Sequence, residues 1–177
     1  MNDLAKLVTD LRVVRRYLPE PVSNEVANTI LEAGRWTGSA KNRQDWAFLL
    51  VDDPEVQQRL ADTGSFTQPL RDARLVIVPV RLPGGYEFDI GRVAQNMMLA
   101  AFAIGVGSCP VTLHDTDAAN QVLGLPSGHE ARYALCFGYP DAEAEAAGRA
   151  GAIYGGRKSL EELIVRNRWR DGWGPAE

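Results

Sequence analysis

The chain has 177 residues, 45% of them hydrophobic and 24% charged, which is enough for one globular domain with its own core and too apolar for extended disorder. A formal net charge of -4 offers no broad basic face, so neither nucleic acid nor membrane is expected as a partner. The two cysteines, Cys109 and Cys136, stand in no CxxC spacing and give neither a disulfide framework nor a zinc pattern. The opening stretch has charges every few residues where a secretory signal needs an apolar run, so a cytoplasmic chain with reduced thiols is expected.

Leu4, Leu7, Val8 and Leu11 mark a first amphipathic helix that runs into the basic residues Arg12, Arg15 and Arg16. Pro19 and Pro21 forbid helix and force an extended connection. Ser23 caps a second helix whose apolar face passes through Val26, Ala27, Ile30 and Leu31 and ends near Trp36. Residues 37–46 are polar and irregular, a loop by composition. The short apolar run 47–51 predicts a strand buried on both faces. Asp53 and Pro54 open a third helix, with Val56 and Leu60 inward. A loop with Gly64, Gln68 and Pro69 leads to a second buried strand at 75–80, and Pro79 predicts that this strand ends at a sheet edge or leaves the sheet.

Gly84 and Gly85 turn the chain into its longest helix signal. Ile90, Val93, Ala94, Met97, Met98, Ala101 and Ile104 recur at three-and-four spacing. From Met97 to Val106 no side chain is polar. A helix apolar on every side must be covered by its own domain or by a second subunit, and this one is shorter than the roughly 20 residues needed to cross a bilayer. Asp89 is its expected N-cap, with Gly105 and Gly107 its stop. Asp115 or Thr116 starts a short helix closed by Gly124, and residues 133–137 form a third strand closed by Gly138 and Pro140. The Ala-, Glu- and Gly-rich run 141–156 predicts a surface arm or linker, Ser159 with Glu162 the capping box of a last helix, and residues 169–177 an irregular tail. Helices outnumber strands without a βαβ alternation, which makes residues 1–177 a single α+β domain.

Three polar clusters could carry chemistry: Arg12, Arg15 and Arg16; Ser39, Asn42 and Gln44; and Arg157 with Lys158. Two basic clusters in an acidic chain can converge on one anion, because guanidinium groups bind phosphate bidentately. Solvated surface charge is the plainer alternative and, from composition, the commoner one. The Gly105-Val-Gly-Ser-Cys109 segment is no dinucleotide loop, since it closes a helix and Pro110 stands at the third glycine position. His114 and His129 have no metal-ligand spacing beyond the neighbouring Asp115 and Asp117. No serine sits in a G-x-S-x-G elbow, which disfavours hydrolysis.

Five blocks in order resemble the nitroreductase family, over nearly the whole chain: 12–17 with Pro21 and Val22, the loop 38–46, the helix 89–107, the segment 109–113, and 138–140 with 156–160. The resemblance implies a layered α/β/α domain with a small mixed, mostly antiparallel sheet and a long central helix at a homodimer interface. It also implies FMN as cofactor, NAD(P)H as reductant, and a small electron-poor acceptor such as a nitroaromatic or quinone. Arg12, Arg15, Arg157 and Lys158, with Arg16 beside them, would hold the phosphate and ribityl chain. Ser39 and Asn42, contributed by the partner subunit, would lie by the flavin. Gln68 would meet the pyrimidine edge, and the turn from Pro110 to Leu113 would face the flavin, with the backbone N–H groups of Val111, Thr112 and Leu113 at its O4/N5 edge. No side chain need act as acid or base, because the flavin carries the chemistry. Leu11 and Val13 stand where the family often has Arg and Ser, and Gly38 and Asp45 replace two loop prolines. Weaker flavin binding, a non-catalytic flavin-binding dimer, or a relative with other flavin chemistry (dehalogenation, flavin fragmentation, azoline oxidation) therefore stay open as alternatives, and the short chain, with little room for a helical excursion over the substrate, implies a wide open pocket.

Overall fold

A computed structural model describes residues 3–149 and 156–169. Helix α1 (Asp3–Asp10) is followed by extended chain, then α2 (Asn24–Arg35), β1 (Trp46–Val51), α3 (Pro54–Ala61), α4 (Gln68–Asp72), β2 (Leu75–Arg81), α5 (Glu87–Ala103), β3 (Gly107–Thr112), α6 (Thr116–Val122), β4 (Glu130–Ala131), β5 (Tyr133–Gly138) and α7 (Ala142–Arg149). The strand order is β1-β2-β5-β3, with β4 pairing β2, and every strand pair is antiparallel. One isolated parallel bridge joins Val13 to Ser108.

Two cores form on the two faces of the sheet. On one, Ile77, Leu135 and Phe137 meet Ile30 of α2 and Val93, Met97 and Ala101 of α5. On the other, Val76, Val78, Cys136 and Val111 meet Leu60 of α3, Leu70 of α4 and Ala119 of α6. Helices on both faces of a sheet give the layered α+β domain that the sequence leads one to expect.

Capping sets the helix starts. Ser23 Oγ accepts the Val26 N–H at 3.3 Å. Asp53 accepts from Glu55 at 2.8 Å, with Pro54 at the first helical position. Asp115 accepts from Ala118 at 2.9 Å. The long helix α5 differs from expectation at its start: Tyr86 is its N-cap, and Asp89 lies in the first turn, 3.6 Å from Arg92. At its end Gly105 adopts φ +79. The Val106 N–H returns to Ala101 O at 2.9 Å and the Gly105 N–H to Phe102 O at 3.1 Å, a Schellman closure that needs a left-handed residue. Gly107 already belongs to β3.

Several expectations are corrected. β1 is an edge strand with Leu50 exposed and only Val51 buried, so it is not covered on both faces. Pro79 sits mid-sheet, opposite Phe48. The register of β2 against β5 (Ile77↔Leu135) slips by one residue against β4 (Val80↔Ala131). This leaves an extra residue, Arg132, in a bulge that absorbs the proline's missing donor. The Ser159–Glu162 capping box does form, with Ser159 N donating to Glu162 at 2.7 Å and Glu162 N to Ser159 Oγ at 3.3 Å. Only a turn follows it, because Leu160, Leu163 and Ile164 are exposed and bury no face that would carry the helix on. Of the predicted irregular tail only Trp169 is described, and it is exposed. The tail tryptophan Trp173 lies outside the described residues.

Candidate functional site

Tyr17 fixes the extended chain after α1. Its ring is buried and its hydroxyl donates to Val14 O at 2.8 Å, with Cys136 O at 3.3 Å. Burial, reinforced by the nearby Cys136 and Cys109 thiols, pushes its ionisation well upward. The Val14 N–H donates to Ser108 O at 2.9 Å and Leu18 N to Tyr139 O at 2.9 Å, so residues 13–18 run along the outer side of β3 and the end of β5. Arg15 and Arg16 are thereby presented outward, next to the loop before α4.

These two arginines, with Phe66, Gln68, Pro69, Glu145 and Gly148, line a cavity of about 240 Å³. Arg16 Nη1 reaches Asp72 at 3.3 Å, and Gln68 Nε2 donates to the same carboxylate at 2.9 Å. A partly exposed pair of this kind orients side chains more than it stabilises them. The backbone N–H groups of Arg15 and Arg16 both point at Glu145 Oε1, the second at 2.7 Å. Phe66, at φ +59 and 96% exposed, stands at the cavity wall in a conformation that β-carbon sterics disfavour.

The ladder between β3 and β5 decides which N–H groups are available. Leu113 N donates to Arg132 O at 2.9 Å, and Ser108 O is turned the other way, to Val14. In an antiparallel pair the direction alternates by residue, so Cys109, Val111 and Leu113 face β5, while Ser108, Pro110 and Thr112 face the open edge. Pro110 brings no N–H there. Among residues 110–113 the Thr112 N–H is thus the one donor on that edge. Beside it, a side chain at Gly64 would come within 2.7 Å of Thr112 O, which explains a glycine at that approach. His114 Nδ1 accepts the Ser65 N–H at 3.1 Å, a bond that requires the Nδ1-unprotonated tautomer and ties the same loop down.

Arg12 is turned away from the cavity, donating to Thr9 O at 2.6 Å and Leu11 O at 2.8 Å. Arg157 and Lys158 are exposed and do not line the cavity. Ser39 and Asn42 lie in a separate loop, where Ser39 Oγ accepts Gln44 N at 2.9 Å. Lys41, Asn42 and Gln44 all hold left-handed backbone at φ +54, +54 and +53, a strain of order 1 kcal/mol or more each. α5 pins the start of this loop: Arg92 donates to Gly38 O at 2.6 Å and Asn96 to Thr37 Oγ at 2.8 Å. The structure thus gathers Arg15, Arg16 and Gln68 near the β3 edge, and keeps Ser39 and Asn42 apart from them within one chain.

Sequence reasoning missed Glu145, Phe66 and Gly64. Glu145 lies in an Ala/Glu run that gives no burial signal, and Phe66 is a lone aromatic in a loop. α7 also closes one side of the cavity, where a wide open pocket was expected. Cys109 lies close under the site. Burial pushes its thiol up to about 11, with Arg15 pulling the other way, and Cys136 is raised well above the ordinary range by burial. Roughly one Cys109 thiol in a thousand is then ionised at pH 8. In the folded protein both thiols should resist Ellman's reagent at that pH and both should react in 6 M guanidinium, about that concentration being ample to unfold the chain. Rapid labelling of Cys109 without denaturant would contradict its environment.

Among the described residues no helix is long and apolar enough to cross a membrane, and no group of three or more His, Cys, Asp or Glu could hold a metal ion. A phosphate-bearing cofactor fits the residues present, because the Arg15 and Arg16 N–H groups already accommodate an anionic oxygen between two guanidinium-bearing side chains. The family model for the nitroreductase family matches residues 10–82 and 68–139. The chain is 25% identical over 167 residues to the NADPH-flavin oxidoreductase of Vibrio harveyi, covering 82% of this chain and 69% of that one. It is 26% identical over 172 residues to the NADH dehydrogenase of Thermus thermophilus, covering 75% and 84%. Its fold superposes on the NADPH:FMN oxidoreductase of Vibrio harveyi complexed with NAD+ with a TM-score of 0.82, at 21% identity, over 96% of this chain and 79% of that one. Fold and family model agree: the chain belongs to the nitroreductase family.

Proposed function

We propose that the chain binds FMN and passes reducing equivalents from NAD(P)H to an electron-poor acceptor of nitroaromatic or quinone type, acting as a homodimer. Membership of the nitroreductase family makes it an NAD(P)H-dependent oxidoreductase with FMN as cofactor. The observation that supports this site for it is the convergence of Arg15, Arg16 and Gln68 on one cavity. When bound, FMN supplies the redox chemistry. The chain's own residues bind and polarise: Arg15, Arg16 and their N–H groups meet the phosphate, and Gln68 the pyrimidine edge. The Thr112 N–H, on the 110–113 edge, stabilises charge on the ring.

Dimerisation follows from what one chain leaves uncovered. Trp36 is 76% exposed and Phe88 74%, at the end of α2 and the start of α5. Ala103 and Ile104 at the other end of α5 are exposed too. A second copy would bury these residues and bring its Ser39 and Asn42 loop to the first copy's flavin.

The purified protein should carry a yellow chromophore that NADPH bleaches anaerobically and a quinone restores, and should sediment as a dimer. Bound flavin that neither NADH nor NADPH reduces would instead favour a non-catalytic flavin-binding dimer. A flavin-loaded monomer would remove the shared site.

A further inference from the structure

We propose that Glu145 is an internal stand-in for the cofactor's phosphate, held in the cradle that FMN takes, so that FMN binding expels it and moves α7 aside. This rests on the proposed function and adds a competitor within the chain. Two successive backbone N–H groups, of Arg15 and Arg16, aim at one carboxylate oxygen, an arrangement that forms an anion-binding concavity. The side chains of both arginines line the same cavity. A carboxylate in that place satisfies the same donors, with the same sign of charge, as a phosphate oxygen.

α7 is built to let go. From Ala142 to Gly148 none of its residues is buried. Glu145 holds it to the Arg15 and Arg16 N–H groups, and the Asp141 N–H just before it donates to Arg16 O at 3.1 Å. Glu145 and Gly148 form part of the wall of the cavity that Arg15 and Arg16 line. When phosphate replaces carboxylate, both N–H groups keep an anionic acceptor. A ligand without phosphate cannot make that exchange.

Glu145→Gln keeps the size and an acceptor oxygen while removing the charge. It should bind FMN about tenfold more tightly than the parent, since charge-assisted hydrogen bonds to the competitor are lost. Riboflavin affinity should change by less than about twofold, because the phosphate-free ligand does not compete for the cradle. Both are read as dissociation constants from flavin fluorescence, with far-UV circular dichroism confirming that the variant folds. Hydrogen exchange on the parent should show α7 amides losing protection as FMN binds, while the Arg15 and Arg16 amides stay protected. Unchanged or weaker FMN binding in the variant, an equal gain for riboflavin, or α7 amides that stay protected would each overturn the inference. A parent protein that takes up no FMN at all would overturn the proposed function itself, whereas FMN uptake with no effect of Glu145→Gln would overturn this inference alone.

Discussion

Thr112→Pro is expected to slow reduction of bound FMN by NADPH about a hundredfold to a thousandfold, the usual cost of deleting one donor aimed at developing charge. The alternation of β3 puts the Thr112 N–H on the open edge, and Pro110, two residues earlier, leaves that edge without a second donor in the segment. Proline at position 112 removes the N–H and spares the ladder, because the bonds to β5 come from the intervening residues, as Leu113 N to Arg132 O shows. Pro110 already demonstrates that this edge accepts the ring. Thr112→Ala is the control: it keeps the N–H and should leave the rate within about threefold, since an exposed side chain carries little of the effect. Anaerobic stopped-flow at the flavin absorbance separates the two. A near-normal rate in a folded, flavin-loaded Thr112→Pro variant would sink the assignment of this donor.

Phe137→Ala should cost about 3 to 5 kcal/mol of stability, the range for removing a fully buried aromatic. Phe137 has no exposed surface and packs on the α2/α5 side with Ile30, Met97 and Val106. Those neighbours belong to separate elements held by the sheet and two helices, so the cavity cannot close cheaply. The loss is read from the urea midpoint at constant slope. A loss under about 1.5 kcal/mol would mean that the layer collapses around the hole.

The helices were legible where a cap and a periodic face coincided, as at Ser23, Asp53 and Asp115. β3 was not, because a strand with proline in its middle contradicts local propensity. Its placement at an edge, with the Pro110 nitrogen outward, is a tertiary fact. α4 was hidden by its length and by Gln68-Pro69, which reads as loop. The Ser159–Glu162 box shows the reverse error, a correct local bond pattern with no buried face behind it. Arg15, Arg16 and Gln68 were readable through the family's motifs, and the structure brings them together. Arg12, Arg157 and Lys158 carry the same kind of signal, yet here their side chains lie elsewhere, since long exposed side chains are not fixed by sequence. Glu145 gave no signal because its role depends on which backbone donors meet it.

The proline that hid β3 also governs how this strand behaves toward other chains. A bare strand edge is a template for pairing and, in concentrated solution, for aggregation. On β3 the Ser108 carbonyl is taken by Val14 and Pro110 offers no donor. Beyond the Val13–Ser108 bridge a passing strand therefore finds a single N–H, at Thr112, and cannot build a ladder on it. The edge proposed to meet the flavin ring is thereby kept from recruiting a neighbouring strand, and one residue serves both ends.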